Sequence, residues 1–130
     1  MAHYLDTSAL VKLVVAEAES PALREWLLGA DRTPVTSDLA RAELARAVRR
    51  AAPELAVAAQ EVIESLTVIS IATETHVSAA RLDPPELRTL DALHLEIALE
   101  LGDDLEAIVV YDDRLARAAS AYGIRTVAPA

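Results

Sequence analysis

Hydrophobic and polar positions along the chain fall into two alternating patterns. Short β-branched or apolar runs predict strands at AHYL (2–5), TPVTS (33–37), TVISI (67–71), AIVVY (107–111) and a last segment near 124–127. Between them lie longer stretches with helical spacing, at about 8–16, 20–29, 38–51, 53–65, 73–82, 88–101 and 113–122. Ser20-Pro21 opens the second helix with a cap and a first-turn proline, and Gly29 is its predicted stop. Ser37 or Asp38 is placed to cap the third helix, Pro53 starts the fourth and Thr73 caps the fifth. DPPE (83–86) breaks the chain, Gly102 closes the helix over 88–101, and Gly123 is a C′ residue. Strands separated by helices predict an α/β fold: a parallel sheet of four to five strands with helices on both faces. In such sheets ligands collect at the carboxyl ends of strands.

Length and composition narrow this picture. The chain has 130 residues, the size of one domain, so residues 1–130 are read as a single unit. Hydrophobic residues make up 53%, enough for a sizeable core. Cysteine is absent, which excludes disulfides, zinc–thiolate sites and a thiol nucleophile and fits a reducing cytoplasm. MAHYLDTSAL has no basic region followed by an apolar run, so no secretory signal is expected, and no apolar stretch approaches a membrane span. The net charge of −9 argues against a general nucleic-acid coat, but not against an enzyme that meets phosphate through a cation. Eleven of the twelve basic residues are Arg; the one Lys is Lys12.

Three acids, Asp6, Asp91 and Asp112, stand where that chemistry would need them, and position alone does not select a fourth, Glu43. Asp6 follows the first strand and Asp112 follows IVVY, so two strands of one sheet each lead into an Asp. Either alone also fits a helix cap, as does Asp113. Asp91 lies in the first turn of a helix apolar over most of its circumference, with Leu90, Leu93, Ile97 and Leu101 forming a stripe and only Glu96 and Glu100 plainly solvated. His94, three residues on, is read first as a satisfied core histidine; orienting Asp91 or ligating a metal are its other roles. Glu43 shares a helix face with Leu39, Arg46 and Arg50, and periodicity alone makes it half of an exposed ion pair with Arg46. Carboxylates gathered in one pocket repel unless a cation compensates. Mg²⁺ or Mn²⁺ suits such hard oxygen ligands, activates water and polarises a phosphodiester. No His pair at zinc spacing and no Gly-rich phosphate loop offers a competing chemistry.

The chain resembles the PIN-domain ribonucleases, in particular VapC-type toxins of bacterial type II toxin–antitoxin pairs. The matching stretches are YLDTSALVKL (4–13), TSDLARAELARAVRR (36–50), RTLDALHLEIAL (88–99) and VVYDDRLARAASAYGI (109–124), in the family's order and over nearly the whole chain. The resemblance implies a three-layer PIN fold. It implies an acidic quartet of Asp6, Glu43, Asp91 and Asp112 around Mg²⁺, with Asp6 and Asp91 as the direct ligands. Asp112 would bind directly or through water, and Glu43 would hold or deprotonate a water. Ser8 matches a hydroxyl that often lines this site, although it also fits a cap. Asp113 departs from the pattern, standing where the family often carries a basic residue. The resemblance further implies cleavage of structured RNA to a 5′-phosphate and a 3′-hydroxyl, a homodimer, and a VapB-type antitoxin whose tail sets a basic side chain among the carboxylates. Arg46, Arg49 and Arg50 are candidates for RNA phosphate contacts.

Two other acid-based chemistries fit the chain less well. A phosphoryl-accepting receiver domain needs a Lys at a later strand end, and Lys12 lies in the first helix region. A haloacid-dehalogenase-like phosphatase needs a second Asp where Ser8 stands. A metal-binding interaction module without catalysis, or a PIN nuclease of RNA processing without an antitoxin, are the alternatives within reach of the same residues.

Overall fold

A computed structural model describes residues 1–29 and 31–130. The strands are β1 (Ala2–Leu5), β2 (Thr33–Ser37), β3 (Thr67–Ile69), β4 (Leu105–Val109) and β5 (Thr126–Val127). The helices are α1 (Thr7–Val14), α2 (Ser20–Leu27), α3 (Leu39–Ala51), α4 (Ala56–Glu64), α5 (Thr73–Ala79), α6 (Thr89–Leu101) and α7 (Asp113–Ala121). The strands form one sheet in the order β3-β2-β1-β4-β5, and every neighbouring pair is parallel. From β1 the chain winds outward through β2 to β3, then crosses back to β4 beside β1 and on to β5. The winding direction therefore reverses between β1 and β4, and a crevice at the carboxyl ends of those two strands follows from that reversal.

Strand alternation sends successive side chains to opposite faces. Leu5 and Val109 pack with Leu10, Leu23, Leu44 and Ile63 from α1–α4. Tyr4, Ile108 and Val110 pack on the other face with Leu95 of α6 and Leu115 of α7. The sheet is thus covered on both sides, which gives the three layers expected and explains why IVV is apolar without alternation. Among the described residues no helix is long and apolar enough to cross a membrane.

Several boundaries differ from the sequence reading for physical reasons. β4 begins and ends two residues earlier than expected, because its partner β1 ends at Leu5 opposite Val109. Val110 still donates its N–H to the Val127 carbonyl, so the chain stays extended, but Asp112 stands three residues beyond the strand rather than directly after it. Asp6 itself caps α1, which therefore starts at Thr7. Asp38 stands at the α3 cap position but gives its carboxylate to Arg41, and Thr73 is the first residue of α5 rather than its cap. Gly123 has φ of 79°, which suits a glycine after the last turn of α7, as its C′ placement predicted.

Two positions on α6 are corrected. Leu90 was placed in the apolar stripe but is 45% exposed, because the first turn of α6 projects beyond its neighbours. Glu96 is half-buried rather than plainly solvated, and burial together with the adjacent Glu100 pushes its carboxyl up to about 7. The packing on α6 gives a direct test. Leu95→Ala should cost about 2–5 kcal/mol in urea unfolding, as for other fully buried leucines, whereas Leu90→Ala should stay within about 0.5 kcal/mol.

Candidate active site

Asp6 is the first residue after β1 and is 4% exposed. Its Oδ1 accepts hydrogen bonds from the Ser8 hydroxyl (2.6 Å) and the Ala9 amide (3.2 Å), the latter being the helix cap. The Ser8 oxygen in turn accepts the Tyr111 N–H at 2.9 Å, so one hydroxyl ties the end of β1 to the segment leaving β4. Burial pushes the Asp6 carboxyl up to about 6, against the Ser8 hydrogen bond, the charge of His94 and the Ala9 amide. On the other side of the strand reversal, Asp112 caps α7: its Oδ1 accepts from the amides of Arg114 (2.9 Å) and Leu115 (3.1 Å). The helix-cap role open to both residues in the sequence is the one their Oδ1 atoms fill.

Asp91, in the first turn of α6, has no side-chain hydrogen bond or ion pair among the described residues. Burial raises its carboxyl first, then the charge of Asp112, with Glu43 adding to the effect while His94 and Arg88 oppose it. Asp91 is therefore within electrostatic reach of both Asp112 and Glu43. Asp113 is exposed in the first turn of α7, without a partner among the described residues.

Glu43 overturns the expectation of an exposed ion pair with Arg46. Its side chain turns inward, and its Oε1 accepts from the Thr7 hydroxyl (2.9 Å) and pairs with His94 Nε2 at 2.6 Å. Burial raises the Glu43 carboxyl, but the His94 hydrogen bond and charge together with Thr7 outweigh it and hold it below the usual carboxylate range. His94 is 2% exposed, the buried histidine expected, and it is also the anchor of Glu43. Its Nδ1 lies 2.7 Å from the Tyr4 hydroxyl, which lies 2.9 Å from Ser37 Oγ. An ionised carboxylate can only accept, so the His94 Nε2–H donates to Glu43. Tyr4, whose hydroxyl is pushed well up by burial, joins His94 Nδ1 to Ser37. Thr7 and Tyr4 carry no role in the sequence reading, and Ser37, there a candidate cap of α3, instead ends β2 and meets Tyr4. The available signal was a tyrosine in a strand with apolar residues on either side, since a buried phenol must find a partner.

The residues fit a hard divalent cation chemically. Asp6 Oδ2, Glu43 Oε2, Asp112 Oδ2 and both Asp91 oxygens accept nothing from the described residues, and none is sealed from solvent. Each carboxylate thus holds its position with at most one oxygen and leaves another free. Among the described residues, however, no group of three or more His, Asp or Glu is already drawn together closely enough to hold an ion.

Two consequences are measurable. Asp6 ionises less readily folded than unfolded, so its charge destabilises the fold progressively as pH rises from about 4 to about 6. In EDTA, Asp6→Asn should match the parent below about pH 4 and exceed it above pH 6, by roughly 3 kcal/mol at most. Asn keeps the cap to Ala9. Tyr4→Phe should cost about 1–3 kcal/mol in urea unfolding, because it strands His94 Nδ1 and Ser37 in a buried place.

Comparison with known proteins agrees with this geometry. The PIN domain family matches residues 3–121. Ribonuclease VapC35 of Mycobacterium tuberculosis is 44% identical over 131 residues, covering 97% of this chain and 96% of that protein. Ribonuclease VapC46 of the same organism is 43% identical over 129 residues, covering 98% of each. Among solved structures, M. tuberculosis VapC20, described as a sarcin–ricin-loop-cleaving toxin, superposes with a TM-score of 0.79 at 21% identity over 99% of this chain and all of that one. VapBC2 from Rickettsia felis, solved bound to a DNA fragment from its promoter, superposes with a TM-score of 0.71 at 15% identity over the whole of both chains. The chain belongs to the PIN domain family, within its VapC group.

Proposed function

We propose that this chain is a divalent-cation-dependent endoribonuclease, a VapC-type toxin that cleaves structured RNA in the cytoplasm. Asp6, Glu43, Asp91 and Asp112 form its active site. Mg²⁺ is the working cation, with Mn²⁺ able to replace it. A VapB-type antitoxin neutralises it, and it assembles as a homodimer and as a hetero-oligomer with that antitoxin. The observation that carries this reading is the set of unengaged carboxylate oxygens at one end of the sheet: Asp6 and Asp112 on either side of the strand reversal, Asp91 charged against Asp112, and Glu43 fixed on His94. The ribonuclease relatives support the reaction, and the VapBC neighbour supports the antitoxin.

A bound divalent cation supplies Lewis acidity toward the phosphodiester and neutralises charge on the leaving oxygen. Asp6, Asp91 and Asp112 would hold it. Ser8 keeps Asp6 in its rotamer and the Asp112 segment alongside it. Glu43, held ionised by Thr7 and His94, takes a proton from the attacking water at its carboxylate. The water oxygen bonds to phosphorus as the P–O3′ bond breaks, O3′ takes a proton from solvent, and a 5′-phosphate and a 3′-hydroxyl result. His94 and Tyr4 orient Glu43 and take no part in the bond changes.

Cleavage should vanish in EDTA and return with Mg²⁺ or Mn²⁺. Asp91→Asn should lower it by at least about a hundredfold while the circular dichroism spectrum stays unchanged. Metal-independent cleavage by rigorously purified protein, or full Mg²⁺-dependent activity in Asp91→Asn, would refute the assignment.

A further inference from the structure

Beside Asp91, a cleft of about 380 Å³ opens between the start of α6 and the outer face of α7. Arg88, the residue capping α6, and Arg114 and Arg117, one turn apart on α7, stand around it. None of the three makes a side-chain hydrogen bond or ion pair with the described residues. Elsewhere Lys12 pairs with Glu17 and Glu19, Arg41 with Asp38 and Arg125 with Glu106, while Arg46, Arg49, Arg50 and Arg81 are exposed without a side-chain partner among the described residues and line no cleft beside Asp91. The floor of the cleft is apolar, built from Leu87, Ala118 and Ala121, and Glu86 is the one acid lining it besides Asp91.

We propose that this α6–α7 cleft is a substrate subsite: it holds a nucleotide of the RNA next to the one being cut, its phosphate on Arg88, Arg114 and Arg117 and its base or ribose on the apolar floor. The inference rests on the nuclease reading above and adds where the substrate strand runs. Three uncompensated guanidinium groups are a phosphate's ligands, not a cation's. The volume suits a single nucleotide. Asp91 lines the inner side, so a strand lying there is continuous with the acids. In a chain of net charge −9, a polyanion approaches best where the local charge is reversed. A basic peptide suited to the carboxylates would instead meet three like charges, which makes RNA and not an antitoxin tail the occupant.

Bulk transfer RNA serves as the probe, since phosphate contacts do not depend on sequence. Binding is measured in EDTA over a salt series for the parent chain, Arg114→Ala/Arg117→Ala, and Arg125→Ala. Arg125 lies at the opposite end of the strands, paired with Glu106, and controls for loss of an arginine away from the cleft. Both substituted arginines on α7 are exposed, and Asp112 caps that helix through backbone amides, so the fold is unaffected. The double variant should weaken binding by about tenfold or more and flatten log Kd against log salt by close to two. Its loss of Mg²⁺-dependent cleavage should fall mainly on KM. Arg125→Ala should do neither. A parent that cuts RNA alongside a double variant with unchanged Kd and slope overturns the subsite and leaves the nuclease intact. Equal losses in the double variant and the control, or a loss of antitoxin binding with RNA binding retained, also overturn it. A parent that neither binds nor cuts RNA overturns the nuclease reading itself.

Discussion

The crevice depends on one buried chain of hydrogen bonds, running from Ser37 through Tyr4 and His94 to Glu43, with Thr7 closing on the same carboxylate. Its five members come from β2, β1, α6, α3 and α1. Helices α1 and α3 lie on one face of the sheet and α6 on the other, so the chain passes around the carboxyl end of the strands and fastens both outer layers to it. A buried polar group without a partner costs about 1–3 kcal/mol, so a network of this kind stabilises only when complete. The carboxylate only accepts, and the His94 and Thr7 donors at its end hold Glu43 ionised and turned inward.

Charge around this anchor is unevenly tolerated. Glu43 has a strong donor on each side and ionises easily, whereas Asp6 is buried and Asp91 faces Asp112, and both resist ionisation. Local hydrogen bonds soften the conflict without removing it: Ser8 and Ala9 serve Asp6, and two amides of α7 serve Asp112. These bonds engage one oxygen apiece. The fold therefore positions these acids without neutralising them, and hard oxygen donors of this kind suit hard cations better than thiolate or imidazole chemistry does.

The alternation of strands and helices was legible because each obeys its own period, and the position of the crevice followed from the parallel topology. Asp6 and Asp112 were legible for the same reason. Glu43 was reached through the family resemblance and not through periodicity, because helical spacing compares residues only along one helix: it saw Arg46 three positions on, while the partner that decides the matter, His94, is 51 residues away. Tyr4 and Ser37 were hidden by burial, since a phenol and a hydroxyl inside strands look like packing until the third element that meets them is known. Leu90 erred in the opposite direction. The apolar stripe of α6 is real, but nothing in its period says where the neighbouring elements stop covering it.

The acids and the arginines divide the carboxyl end of the sheet between them. Asp6, Glu43, Asp91 and Asp112 make its centre negative, while Arg88, Arg114 and Arg117 make the α6–α7 flank positive, with Asp91 on the boundary. A phosphodiester backbone is repelled by the first region and attracted by the second. Under the proposed function, phosphate would bind first to one side of the acids, and a cation among the carboxylates would turn the centre from a barrier into a place where phosphate can rest. Binding and turnover would then be separable by charge: the flank would hold RNA with or without metal, and the metal would decide whether the strand crosses the acids.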